Sequence, residues 1–152
     1  VWDGNSEILI LGSFPSVKSR EEMFFYGHPQ NRFWRVLAFL LNVPAPETSD
    51  DKKKMLLSHN IAVWDVIASC DITGSSDSSI KNVVPNDIGA ILRGSRIKRI
   101  FVNGGTALRM YNKYILPITD ISAVYLPSTS PANVAWTLER LCGAWKVITD
   151  SL

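Results

Sequence analysis

The stretch Glu7-Ile8-Leu9-Ile10-Leu11-Gly12-Ser13-Phe14-Pro15 decides the fold. Its apolar run is continuous rather than alternating, as in a strand buried on both faces of a parallel sheet. The run stops at Gly12, where the missing Cβ allows a tight turn or the close approach of another group, and Pro15 stiffens the exit. A strand over Glu7 to Leu11 with a turn at its carboxyl end is therefore expected.

Three more runs carry the same signature: Ile61 to Val66, Arg99 to Val102 and Ala123 to Leu126. Helical patterns lie between them. From Arg32 to Leu41 the residues Phe33, Trp34, Leu37, Leu40 and Leu41 recur at helical spacing and leave Arg32 and Arg35 on another face. Val134, Leu138, Leu141, Cys142 and Trp145 form a second stripe, with Ser130 expected as N-cap and Pro131 at the first helical position. Helices are also expected from Pro85-Asn86-Asp87 and after Gly104-Gly105, and a loop from Asp71 to Ser79. Strands alternating with helices in 152 residues predict one domain over residues 1–152. The expected fold is a three-layer αβα sandwich around a central four-stranded parallel sheet. Ligands of such sheets bind beyond the carboxyl ends of the strands. That rule singles out Gly12 to Pro15, Asp65 with the loop beyond it, Asn103-Gly104-Gly105 and Pro127 to Ser130.

A net charge of +2 does not announce a nucleic-acid partner, so charge location matters more than charge sum. Arg32, Arg35 and Lys52-Lys53-Lys54 are placed to touch phosphates or to be ordinary solvated surface, and Arg96, Lys98 and Arg99 cluster before a strand. Cys70 and Cys142 match no zinc spacing and read as reduced apolar fillers. No run approaches the roughly 18 apolar residues of a membrane span, and Val1-Trp2-Asp3-Gly4 has no basic segment leading an apolar one. A cytoplasmic monomer without membrane partner, cofactor or metal is expected.

Pro29-Gln30-Asn31-Arg32-Phe33-Trp34 reads locally as a helix start, with Asn31 capping a helix that buries Phe33 and Trp34. Gly12-Ser13-Phe14-Pro15-Ser16 reads as a strand and turn, and Leu126-Pro127-Ser128-Thr129-Ser130-Pro131-Ala132 as a loop before the last helix. In this order the three segments resemble the uracil-DNA glycosylase superfamily over nearly the whole chain. Tyr26-Gly27-His28-Pro29-Gln30-Asn31-Arg32-Phe33-Trp34 looks like the matching segment of mismatch-specific uracil glycosylases. The first and last motifs together are similar to the hypoxanthine-DNA glycosylase branch. Phe14 stands where the mismatch-specific relatives carry a water-positioning Asn, so the resemblance moves that role to Asn31 and points from uracil to hypoxanthine.

The resemblance implies a partner, DNA containing a deaminated base, and a set of roles. Asn31 would be catalytic, with His28 assisting as donor or orienter. Gly12, Ser13, Phe14, Pro15, Tyr26, Gln30 and Asn103 would hold the extruded base, with Tyr26 or Phe14 stacking on it. Ser16, Ser128, Thr129, Ser130, Pro131 and Ala132 would meet the DNA, the hydroxyls facing phosphates at the start of the last helix. An N-glycosidic bond has a better leaving group than the O-glycosidic bonds that need paired carboxylates, so a placed water and donors toward the base suffice. No motif lysine suggests a Schiff base, and a monofunctional enzyme leaving an abasic site is expected. Three alternatives stay open: a uracil-specific enzyme, a silent damaged-DNA-binding module of the same fold, and an unrelated hydrolase using Ser13 or Ser16.

Overall fold

The computed structural model describes residues 1–14, 24–71 and 81–152. Four strands form one parallel sheet: β1 (Ile8–Gly12), β2 (Ile61–Asp65), β5 (Arg99–Asn103) and β6 (Ala123–Leu126), in the order β2-β1-β5-β6. Ile8 pairs with Ile61 on one side and with Arg99 on the other. β1 is thus central, and all five of its residues are buried. Alternate side chains of a strand point to opposite faces. Ile8 and Ile10 accordingly join one core with Phe33, Leu37, Val63 and Trp145, while Leu9 and Leu11 join a second with Ile88, Val102 and Tyr111. Each such side chain, fully buried, contributes about 1.5–3 kcal/mol.

Helices cover both faces, as the three-layer expectation requires. They are α1 (Phe33–Leu41), α2 (Ser49–Ser58), α3 (Ile88–Arg93), α4 (Gly105–Tyr114), α5 (Leu116–Thr119), α6 (Leu138–Trp145) and α7 (Val147–Asp150). A small antiparallel pair, β3 (Ile67–Asp71) and β4 (Lys81–Pro85), follows β2 and had no clear sequence signal. Residues 72–80, most of the expected Asp71 to Ser79 loop, lie outside the described residues, as do Pro15 and Ser16.

One expectation is corrected. The last helix does not start at Ser130 and Pro131: α6 begins at Leu138, capped by the Thr137 hydroxyl, which accepts from the Arg140 N–H. Residues 130–136 are bends and short turns instead, and Val134 is exposed rather than part of the buried stripe. The cause is Arg32. Its guanidinium donates to the carbonyl oxygens of Ser130, Asn133 and Trp136, holding these groups out of a helical ladder. Ser130 therefore caps no helix.

The sheet order places the site. From β1 the chain goes to β2 on one side, while β5 lies on the other, so strand order reverses between β1 and β5. The crevice outside the carboxyl ends at such a switch point is where open α/β sheets bind ligands. Here it lies between Gly12 and Asn103. Arg99 and Lys98 lie at the opposite end of the sheet, tied to Ser151 and Glu7.

Candidate active site

Gly12 closes β1 with two polar side chains over its Cα. A Cβ on Gly12 would stand 2.6 Å from Asp65 Oδ1 and 3.0 Å from the Tyr26 hydroxyl. The Gly12 and Ser13 carbonyls accept from Val66 and Ile67, fixing the turn against the end of β2. Among the described residues, the N–H groups of Ser13 and Phe14 make no hydrogen bond. Phe14 is half-buried against the core that contains Leu9 and Leu11.

Asp65 is 8% exposed, and its carboxylate has no hydrogen-bond partner among the described residues. Burial raises its pKa from 3.8 to about 7. Burial, then the neighbouring Asp65 charge, pushes the Tyr26 hydroxyl far above the usual phenol range, and the Asn103 side chain beside it offsets part of that rise. The hydroxyl is sealed from water and makes no hydrogen bond of good geometry. The Tyr26 ring stacks on Phe33, with centroids 4.1 Å apart and planes at 20°, so one ring face is already occupied. The Trp34 indole donates to the Phe25 carbonyl and holds this segment against α1.

The other half of the crevice is a closed set of hydrogen bonds. Asn31 Oδ1 accepts from the Phe33 N–H at 3.0 Å, which ties up the first N–H of α1 from one residue before the N-cap, Arg32. The same oxygen accepts from the Thr129 hydroxyl at 2.9 Å, which capping does not require. Thr129 Oγ1 accepts from Asn103 Nδ2 at 3.0 Å, and the Thr129 N–H donates to Asn103 Oδ1 at 3.1 Å. The Arg32 N–H donates to the Thr129 carbonyl. Capping and site assembly are two uses of one side chain. Among the described residues, Asn31 Nδ2 has no partner.

The structure thus brings together Gly12, Ser13, Tyr26, Asn31 and Asn103 from the expected set, and adds Asp65. Thr129 is corrected in position: it is fully buried with its N–H, carbonyl and hydroxyl engaged inside the protein, so its hydroxyl is not open to a phosphate. Ser128 and Ser130 are half-buried, and their oxygens accept from Ser130 and Ala132 N–H groups. Pro131 is half-buried and Ala132 exposed. His28 shapes a turn: its Nδ1 accepts from the Gln30 N–H and its carbonyl from the Asn31 N–H. Gln30 is exposed. The sequence places Asp65 on this rim without assigning it a role, and Arg32, expected at phosphates or on solvated surface, instead clamps residues 130–136, for which the sequence carries no signal.

A parallel sheet whose switch point carries a strand-end glycine, a nearly buried carboxylate and a hydrogen-bonded Asn31–Thr129–Asn103 set defines an α/β domain with polar side chains gathered at the carboxyl ends of its central strands. The family model of the Uracil DNA glycosylase superfamily matches residues 2–149, and the chain belongs to that superfamily. It is 33% identical over 141 residues to the Hypoxanthine DNA glycosylase of Methanosarcina acetivorans, covering 92% of this chain and 89% of that protein. A Hypoxanthine DNA glycosylase of Methanosarcina barkeri is 35% identical over 107 residues, 68% of this chain and 67% of that one. The solution NMR structure of a Methanosarcina acetivorans protein provisionally described as a Uracil DNA glycosylase superimposes with a TM-score of 0.80 at 29% identity, covering 97% of this chain and 94% of that one. The expected superfamily and fold are both borne out. Among the described residues, no helix is long and apolar enough to cross a membrane.

Proposed function

We propose that this chain extrudes a deaminated purine, hypoxanthine, from DNA and hydrolyses its N-glycosidic bond, leaving an abasic site. The observation that carries the reading is the Asn31 amide, locked by two hydrogen bonds and joined through Thr129 to Asn103 at the end of β5, its nitrogen unpaired among the described residues. Two relatives named Hypoxanthine DNA glycosylase support the choice of base.

Extruding a nucleotide costs a few kcal/mol and costs least at a weakened pair such as hypoxanthine opposite thymine. The base then lodges beyond the turn that follows Gly12, next to the Asp65 and Tyr26 side chains, which already fill the space over the Gly12 Cα. The N–H groups of Ser13 and Phe14 and the Asp65 carboxyl face its edge. As the bond breaks, its electron pair leaves with the base and positive charge grows on the sugar. A water held by Asn31 bonds to the sugar carbon, and the proton it sheds balances the one the departing base anion takes up. Asn31 contributes position and a fixed dipole rather than basicity. In this reading the Ser128 and Ser130 hydroxyls donate to flanking phosphates, and Pro131 or Ala132 fills the gap left in the stack. Among the described residues, no three His, Cys, Asp or Glu side chains form a metal-holding group.

The test is base release from otherwise identical duplexes carrying hypoxanthine, xanthine or uracil. Release of hypoxanthine fastest is expected. Uracil released faster would favour the uracil-specific alternative, and tight binding of damaged DNA with no release would favour the silent module.

A further inference from the structure

We infer that Asn103 and Thr129 are positioning residues that fix Asn31 as a hydrogen-bond donor toward the reacting nucleotide. The inference rests on the functional reading above and deepens it. Asparagine amides can be placed either way round, and the hydrogen-bond network decides which. Here both ends of the network are backbone N–H groups, which can only donate. The Thr129 N–H requires that the Asn103 atom it meets, at 3.1 Å, be the oxygen. Asn103 Nδ2 is then the group 3.0 Å from Thr129 Oγ1, so that hydroxyl accepts there and spends its own hydrogen elsewhere. It donates to Asn31 at 2.9 Å, and the Phe33 N–H donates to the same Asn31 atom at 3.0 Å.

Two donors on one atom make it the carboxamide oxygen with both lone pairs used. Only the nitrogen is left to act. Asn31 therefore holds the water, or the developing charge on the base, by giving N–H hydrogens, and it is not the group that receives the proton the water sheds. Thr129 is fully buried and Asn103 half-buried, so neither link is short-circuited by bulk water.

The experiment uses the full chain and a duplex with one deoxyinosine, and compares Asn31→Asp, Thr129→Val and Thr129→Ser. An aspartate at 31 can accept the same two hydrogen bonds, so Asn31→Asp keeps the helix start while presenting an acceptor in place of a donor. Single-turnover base release is expected to fall about 100-fold or more in Asn31→Asp. It is expected to fall roughly 10-fold in Thr129→Val, by misplacing the amide, with duplex binding kept and the chain still folded at a lowered melting temperature. Thr129→Ser, which keeps the hydroxyl, should restore the rate. Near wild-type release by Asn31→Asp would overturn the donor role, and by Thr129→Val the positioning role. If the wild-type chain released no base at all, the functional reading would fall, and the network would be read from the Asn31 side-chain NH2 resonances of the labelled protein. Those should shift in Thr129→Val and hold in Thr129→Ser; no shift in Thr129→Val would overturn the network as well.

Discussion

The two halves of the crevice are built on opposite principles. On the Asn31, Thr129 and Asn103 side the hydrogen bonds close on one another, and a single amide nitrogen is left over. On the Gly12, Tyr26 and Asp65 side, the sealed Tyr26 hydroxyl makes no hydrogen bond of good geometry, and the nearly buried Asp65 carboxylate has no hydrogen-bond partner among the described residues. An unmet buried polar group costs about 1–3 kcal/mol. The satisfied half is a rigid mount, whereas the unsatisfied half stores a cost that a ligand bearing complementary donors and acceptors can relieve. Under the proposed function, selectivity belongs to the second half and orientation to the first.

The comparison can be broken from either side, and the largest effect is expected at the mount. Asn31→Ala should slow hypoxanthine release by roughly 100- to 1,000-fold, equivalent to about 3–4 kcal/mol of barrier. Single-turnover kinetics would show it, with damaged-DNA binding kept; an unchanged rate would remove Asn31 from the chemistry. Arg32→Ala releases three carbonyls held by one guanidinium and should lower unfolding stability by about 2–4 kcal/mol. Denaturant titration measures this.

On the unsatisfied side, Asp65 gives a pH signature. Its folded pKa of about 7 lies above the ordinary 3.8, so below the lower value the carboxyl is neutral in both states and the folded protein loses nothing. As pH rises toward 7 the unfolded chain releases the proton more readily, and stability falls. The loss should be on the order of 3 kcal/mol, since each pH unit between the two values costs roughly 1.4 kcal/mol and part of the cost is relieved by water reaching the site. Asp65→Asn should flatten that slope in melts run across the range, and an unchanged slope would contradict the assignment. Gly12→Ala should cost about 1–3 kcal/mol by overpacking. Most of that should vanish in an Asp65→Ala background, where the nearest colliding oxygen is gone, and a double-mutant cycle reads the coupling. The smallest effect is expected from EDTA, which should leave base release unchanged; loss that zinc or magnesium restores would mean that a metal takes part.

Much of this architecture was legible because β1 and β2 are buried on both faces, which forces unbroken apolar runs such as Ile8 to Leu11. α2 was not legible, since Ser49–Ser58 buries only Met55 and Leu56 and carries no stripe. Nor was β4, a largely exposed strand whose partner is β3 rather than the main sheet. The start of α6 misled for a tertiary reason: Ser130 and Pro131 suit a helix start, but a guanidinium almost a hundred residues earlier captures the carbonyls that helix would use. In the site, Gly12 and Asn31 stood out through their motifs. The link between them did not, because the bond from Thr129 to Asn31 spans 98 positions and a capping asparagine looks complete with the Phe33 N–H alone.

The central claim is a placement, and a crystal structure with a duplex carrying a non-cleavable 2′-fluoro deoxyinosine tests it most directly. The account predicts an extruded hypoxanthine beside the turn that follows Gly12, Asp65 at its edge, and Asn31 Nδ2 reaching the sugar carbon through one water that stands about 3–3.5 Å from that carbon. A base still stacked in the duplex, or lodged away from Gly12 with the Asn31 amide turned from the sugar, would contradict it.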